Sequence, residues 1–139
     1  MGSIKIFKRI YLFLFLSIIL TIVYLPSFCA EDYYADINID VDSSGFVTID
    51  GITNYPNLLI NNTQVYTSKE QSHWLLNITK EDVFSDFIYV LNLPKGTSIN
   101  YIRSSSFRIE ENQGNLLIKG FGENKSLSIV VQYQIEKRS

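Results

Sequence analysis

A chain of 139 residues with 46% hydrophobic and 14% aromatic content can bury one sizeable core, which excludes a disordered polypeptide. Lys5, Lys8 and Arg9 all precede a hydrophobic run, and the remainder from residue 30 carries nine basic residues against fourteen acidic ones, a balance that argues against nucleic acid or anionic lipid as a partner. Cys29 is the single cysteine, so no intramolecular disulfide can form and stability must come from packing.

The first element is a targeting or anchoring segment, residues 1–29. Three basic residues are followed by the uncharged stretch from Ile10 to Leu25 and then by Pro26-Ser27-Phe28-Cys29-Ala30, the charged, apolar, small-residue order of a secretory signal. Pro26 suits the end of an apolar helix. Ser27 and Cys29 fit cleavage just before Ala30, whereas the sixteen residues from Ile10 to Leu25 fall short of the ~20 of a bilayer-spanning helix. Two outcomes stay open, a cleaved signal peptide and an uncleaved anchor that contacts the membrane through residues 10–25. Basic residues on the N-terminal flank place residues 30–139 outside the cytoplasm in both. Phe28, immediately before Cys29, argues against a lipoprotein signal.

Residues 30–139 then read as one extracytoplasmic domain. Ile37, Ile39 and Val41 alternate with Asp36, Asn38, Asp40 and Asp42, the period of a strand with one apolar face. Ser43-Ser44-Gly45 turns the chain and Phe46 to Asp50 returns it, so residues 34–51 form a hairpin. The Asn-rich stretch Ile52 to Asn62 reads as a loop. Further strands are expected at Gln64–Thr67, His73–Ile78, Phe87–Leu93, Ser98–Arg103, Phe107–Glu110, Leu116–Lys119 and Leu127–Ile135, with turns at Pro94-Lys95-Gly96, Asn112 to Asn115 and Gly122-Glu123-Asn124. Thr79–Asp86 is expected to form a short helical turn, capped by Thr79 and packing Val83 against Phe87. This pattern predicts an all-β fold, a mostly antiparallel β-sandwich of about seven to nine strands preceded by the N-terminal hydrophobic helix. Its core is expected to hold Ile37, Ile39, Val41, Val47, Ile49, Trp74, Val90, Ile118, Ile129 and Val131.

Candidate chemistry is sparse. Asp40, Asp42, Ser44 and Gly45 match the first half of a calcium loop, but Gly51 stands where a bidentate carboxylate is needed, so a solvated hairpin is the better reading. His73 is the only histidine and has no cysteine beside it in the domain, which leaves zinc and cysteine–histidine chemistry without ligands. The carboxylate pairs Glu31-Asp32, Glu81-Asp82 and Glu110-Glu111 would point to opposite faces of a strand, and Gly120-Phe121-Gly122 lacks the third glycine of a dinucleotide site. Neither a metal nor a cofactor is expected. Sequons at Asn61, Asn77 and Asn124 are glycosylation candidates in an exported domain. Tyr55, Tyr66, Trp74, Tyr89, Tyr101 and Tyr133 offer either a sugar- or peptide-binding surface or core and cross-strand packing, of which packing is the simpler account.

Three stretches carry a resemblance: Val65 to Lys69 with Trp74 to Ile78; Phe87 through Leu93-Pro94-Lys95-Gly96 to Tyr101; and Leu127 to Tyr133. Together they resemble the outward-facing β domains of uncharacterised archaeal membrane-associated proteins, some of which continue into a transmembrane helix and a cytoplasmic winged helix. The sequence ends at Lys137-Arg138-Ser139 without either of these, so the resemblance implies an outer β domain and carries no functional residue with it. The functional expectation is a non-catalytic extracytoplasmic binding or cell-surface domain, secreted or held at the outer face of the membrane, with a protein or glycan ligand. An outer sensor or assembly domain working through a membrane partner is the alternative, and a secreted carboxylate-dependent hydrolase is a third.

Overall fold

The computed structural model describes residues 32–136, so the N-terminal segment with Cys29, the expected cleavage before Ala30 and the expected membrane contact through residues 10–25 fall outside the described residues. Eight strands follow in chain order: β1 (Tyr33–Val41), β2 (Val47–Thr53), β3 (Ile60–Thr63), β4 (Thr67–Glu70), β5 (His73–Asn92), β6 (Thr97–Ser104), β7 (Phe107–Asn112) and β8 (Asn115–Ile135). The described residues contain no helix. All strands belong to one mixed sheet, in which β1 and β5 run parallel and every other pair is antiparallel.

The 20-residue β5 and the 21-residue β8 pair along nearly their whole length, from Trp74 with Tyr133 to Asn92 with Leu117. Each carries neighbours in two groups. Near the C-terminal end of β5 the order is β3-β2-β1-β5-β8-β7; near its N-terminal end it is β4-β5-β8-β6. The two halves face each other. Tyr89 of the first half meets Ser104 of β6, Oη to Oγ 2.6 Å. The β1–β2 turn is held by β4, whose Thr67 hydroxyl donates to the Gly45 carbonyl, and by Gln64, whose amide donates to the Ser44 carbonyl. Buried side chains of both halves form a single cluster. The result is sandwich-like, with both layers made from one sheet folded over.

Folding one sheet over requires the inward face to stay inward along both long strands, and bulges do this. In β5 the buried positions are Leu76 and Ile78, then Phe84, then Phe87, Tyr89 and Leu91, so the parity changes between Phe84 and Phe87. At that point Tyr33 pairs with Phe84 but Tyr34 pairs with Asp86, leaving Ser85 as the extra residue of a bulge. Glu81 and Asp82 are likewise unpaired with β8 between Lys80–Leu127 and Val83–Ser126. In β8 the buried positions change from Ile118, Gly120 and Gly122 to Leu127, Ile129 and Val131, and Asn124 between them has φ +51°. Asparagine tolerates this left-handed conformation better than most residues.

The strand arrangement corrects four expectations. Thr79–Asp86 is strand with irregular pairing and not a helical turn, because its partner segment Glu123 to Ser128 supplies a ladder that outweighs local propensity. Gly122-Glu123-Asn124 continues β8, with Gly122 and Glu123 paired to Phe87 and Asp86, and is not a turn. Of the expected strand at Gln64–Thr67, residues Gln64 to Tyr66 form a turn between β3 and β4, and Thr67 opens β4. Val90 and Trp74 are only half-buried, and Tyr89 and Leu91 hold the core positions because Ser85 shifts the phase. The other eight expected core residues are buried. The Asn-rich loop also contributes one buried residue, Leu58.

Gly120 and Gly122 exist for packing. Both lie on the inward face of β8, opposite Tyr89 and Phe87, and a Cβ on either would overlap the facing aromatic ring. The rings therefore lie flat over backbone where any side chain would displace them. Gly120→Ala is expected to destabilise the domain by about 1–3 kcal/mol, read as a lower urea midpoint at unchanged slope. Gly114→Ala, where a Cβ meets nothing within 4 Å but φ is +84°, is the control for a purely conformational cost.

Candidate binding surface

The turn that resembled half a calcium loop is occupied by its own backbone. Asp42 Oδ1 accepts from the N–H groups of Ser44 and Phe46, each at 2.9 Å, and the Asp42 and Gly45 backbones close the turn. Asp40 lies on the outer face of β1 and accepts from Asn92 Nδ2 at 2.6 Å. The structure thus separates Asp40 from Asp42 in bonding, and Ser44 contributes only backbone groups to the hydrogen bonds described. Among the described residues no three His, Cys, Asp or Glu side chains converge as a metal site.

The other polar candidates are also dispersed. His73 is half-buried at the start of β5, opposite Glu70. Asp82, in the bulge, accepts from Tyr55 Oη at 2.7 Å, while the neighbouring Glu81 offers its carbonyl to Ser126 Oγ at 3.1 Å. Glu110 receives Lys119 Nζ at 3.0 Å and Arg108 Nε at 3.1 Å. The hydrogen bond from Lys119, with the charges of Lys119 and Arg108, holds the Glu110 carboxyl below its usual range. Asn61, Asn77 and Asn124 are all exposed, Asn77 because it alternates with the inward Leu76 and Ile78. Thr79 Oγ1 donates to Asn77 Oδ1 at 2.6 Å.

The aromatic residues divide along the line that packing demands. Tyr89 and Tyr133 are fully buried. Tyr55 stacks on Phe84 with ring centroids 5.1 Å apart and meets the Tyr33 ring edge-on at 4.8 Å, which pins the loop after β2 onto the β5 bulge. Tyr66 lies under Lys80 and Trp74 under Lys69, with the ammonium groups 5.1 and 5.5 Å from the ring centroids. Trp74 also closes the open end of the core, where its ring packs against Gly45. Tyr101 alone of the six is exposed, so these residues do not form one aromatic surface.

An apolar surface exists elsewhere, on the outer face of the larger half. The ladder registers set Ile52, Asp36, Ile88 and Phe121 side by side across β2, β1, β5 and β8. Ile88 and Phe121 are 50% and 56% exposed. Together with Val90, Arg108 and Lys119 they border an open groove of about 340 Å³. In the next row, Asp50, Asn38, Val90, Lys119 and Arg108 run across the same strands. The face therefore passes from acidic on β1 and β2, through an apolar centre, to a Lys–Glu–Arg cluster on β7 and β8. Sequence reading missed Ile88 and Phe121. The signal was present in Gly120-Phe121-Gly122, whose glycines face the core and whose phenylalanine must then face solvent.

No protein-family model matches this chain, and no curated protein or solved structure matches it either. Residue chemistry and geometry alone carry the functional reading.

Tyr89 and Tyr133 give opposed expectations. Tyr89 Oη is satisfied by Ser104, whereas Tyr133 Oη is buried without a hydrogen-bond partner. A buried hydroxyl left unpaired costs about 1–3 kcal/mol. Tyr133→Phe is therefore expected to leave stability unchanged or raise it, and Tyr89→Phe to lower it by about 1 kcal/mol, both read by chemical denaturation. Burial, reinforced by the Asp42 carboxylate, pushes the Tyr133 phenol up to about 12, and the hydrogen bond to Asp82 followed by burial does the same for Tyr55. Below pH 10 both the folded and unfolded chains keep these phenols neutral. Between pH 10 and 12 only the unfolded chain ionises, so stability is expected to fall across that window. Tyr133→Phe should flatten the decline, as followed by circular dichroism against pH.

Proposed function

We propose that the chain is a non-catalytic binding domain displayed outside the membrane, with the outer face around Ile88 and Phe121 as its contact surface. The observation that carries this reading is the exposed apolar centre of that face. Two large side chains on β5 and β8 stand half-exposed on the face where the neighbouring β1 and β2 place Asp36, Asn38, Asp40 and Asp50, and clustered apolar groups bordered by polar ones mark contact sites on folded domains. The groove is shallow, apolar and flanked by opposite charges, which suits an extended peptide or a protein surface better than a sugar. The N-terminal segment supports export, and the exposed Asn61, Asn77 and Asn124 are compatible with glycosylation in that compartment. The dispersal of Asp82, Glu110 and His73 into separate local bonds supports binding over hydrolysis.

Peptide and glycan arrays probed with the purified chain test this directly. A captured peptide should bind Phe121→Ser and Ile88→Ser variants at least about tenfold more weakly, as expected for central apolar anchors. Binding indifferent to both substitutions would remove this face from consideration, and a hydrolase activity abolished by one carboxylate substitution would overturn the non-catalytic reading. Intact-mass analysis of the native protein addresses its placement. A mature chain beginning at Ala30 or Glu31 means a released domain, and a full-length species in the membrane fraction means a tethered one. With cleavage, bulky replacements at Ser27 and Cys29 should block processing.

A further inference from the structure

We infer that β7 is the seam of a twofold dimer, in which two copies of this chain join edge to edge by antiparallel pairing of Phe107–Asn112 centred on Ile109. Among the described residues β7 pairs only with β8, which leaves its other edge without a partner strand there. The phase of that edge is fixed by the Phe121 N–H, which donates to the Ser106 carbonyl at 3.0 Å. Counting from this bonded pair, Arg108, Glu110 and Asn112 direct their backbone groups toward β8. Phe107, Ile109 and Glu111 direct theirs outward.

Protein edge strands normally discourage such pairing with charge, a bulge or a cover. β7 carries charge, but in a self-complementary order. With Ile109 opposite Ile109 of the second copy, Arg108 faces Glu110 of that copy and Glu110 faces its Arg108. The four charges then alternate in sign around a square on the outer face. Shifting the centre to Arg108 sets two guanidinium groups opposite each other, and shifting it to Glu110 sets two carboxylates opposite each other. A twofold axis through the seam keeps inward side chains facing inward, so the register cannot change by a half-step. Exposed ion pairs add little affinity, and here they select the register.

The attraction comes from what the edge leaves unused. The Ile109-centred register aligns outward-directed residues with one another, Ile109 with Ile109 and Phe107 with Glu111, and forms about six backbone hydrogen bonds. On the inward side Phe107 and Ile109 remain 41% and 50% exposed, although the same parity in β8 gives the buried Ile118 and Gly120. In the dimer the two Ile109 side chains meet across the seam, and each Phe107 lies diagonal to Ile109 of the other copy, within reach for an aromatic ring.

The full-length chain in mild detergent or native membrane is the test material. Ile109→Cys in a Cys29→Ser background should form an intermolecular disulfide under mild oxidation, since Cα atoms of a directly paired position lie about 5.5 Å apart. Asn112→Cys, at the strand's end and distant from its own copy in this register, should not. By light scattering after size exclusion, Arg108→Glu and Glu110→Arg should each raise the dimer dissociation constant by about tenfold or more. An equimolar mixture of the two should restore dimers, as should the double variant Arg108→Glu/Glu110→Arg, because both arrangements again place opposite charges across the seam. The restoring arms also exclude misfolding as the cause of a loss. A wild-type chain that stays monomeric at every concentration would overturn the inference, as would dimers indifferent to both single reversals or equal cross-linking at positions 109 and 112. Occupation of β7 by a different protein would appear as the first of these.

Discussion

The ladder between β5 and β8 is the constraint on which the rest of the domain depends. Among the described residues it is the only pairing that runs through both layers, and every other strand there except β2 and β3 is hydrogen-bonded to one of these two strands. A ladder this long buries residues on one side only if its side-chain parity is reset where the sheet folds over. The bulge at Ser85 and the left-handed Asn124 supply that reset on the two strands, and the unpaired Glu81 and Asp82 loosen the ladder between them. Without the parity change, Ile88 and Val90 would point inward in place of Tyr89 and Leu91. Position 121 of β8 would then face the core and Gly120 the solvent.

The bulge also organises what surrounds it. Asp82, freed from β8 pairing, receives the Tyr55 hydroxyl, and Phe84 receives the Tyr55 ring. The loop after β2 is thereby fixed at the fold of the sheet, and Tyr33 completes the cluster from β1. Local irregularity and long-range packing depend on each other here. Residues that leave the ladder at 81 and 82 make the contacts that hold the first hairpin against the bend. A domain without a disulfide available within residues 30–139 relies on such clusters to close its corners.

Elements with undisturbed alternation were legible from the sequence. Ile37, Ile39 and Val41 opposite Val47 and Ile49 fixed the first hairpin, and Pro94-Lys95-Gly96 and Gln113-Gly114 marked true turns. The all-β class follows from these. Where the alternation breaks, local reading failed in a consistent way. Val83 and Phe87 stand four apart and Thr79 resembles a cap, so a helical turn was the natural inference for a segment whose irregularity is a bulge. Glycine next to asparagine at residues 122–124 looked like a turn for the same reason, although Gly122 is there to admit the Phe87 ring. The candidate surface was hidden by the same phase change. Val90 is expected in the core from its alternation, whereas the register places it with Ile88 on the outer face.

That outer face is distinctive because the core does not determine it. Inward positions of β1, β5 and β8 are fixed by volume, with glycine opposite tyrosine and phenylalanine, and tolerate little change. Outward positions answer only to solvent and to whatever contacts them. On β1 and β2 they include Asp36, Asn38, Asp40 and Asp50, which keep that part of the sheet face soluble, with Ile52 as the apolar exception. Solubility alone would place similar residues at 88 and 121, which stand in register with Asp36 and have no packing obligation. A β-branched and an aromatic side chain at those two positions raise the strand propensity of the central ladder, but Thr or Tyr would do the same with a polar group toward water. Isoleucine and phenylalanine add apolar area in the centre of the face, between the acidic strands and the Lys119–Glu110–Arg108 cluster. This is the arrangement expected of a surface that is covered for part of its working life.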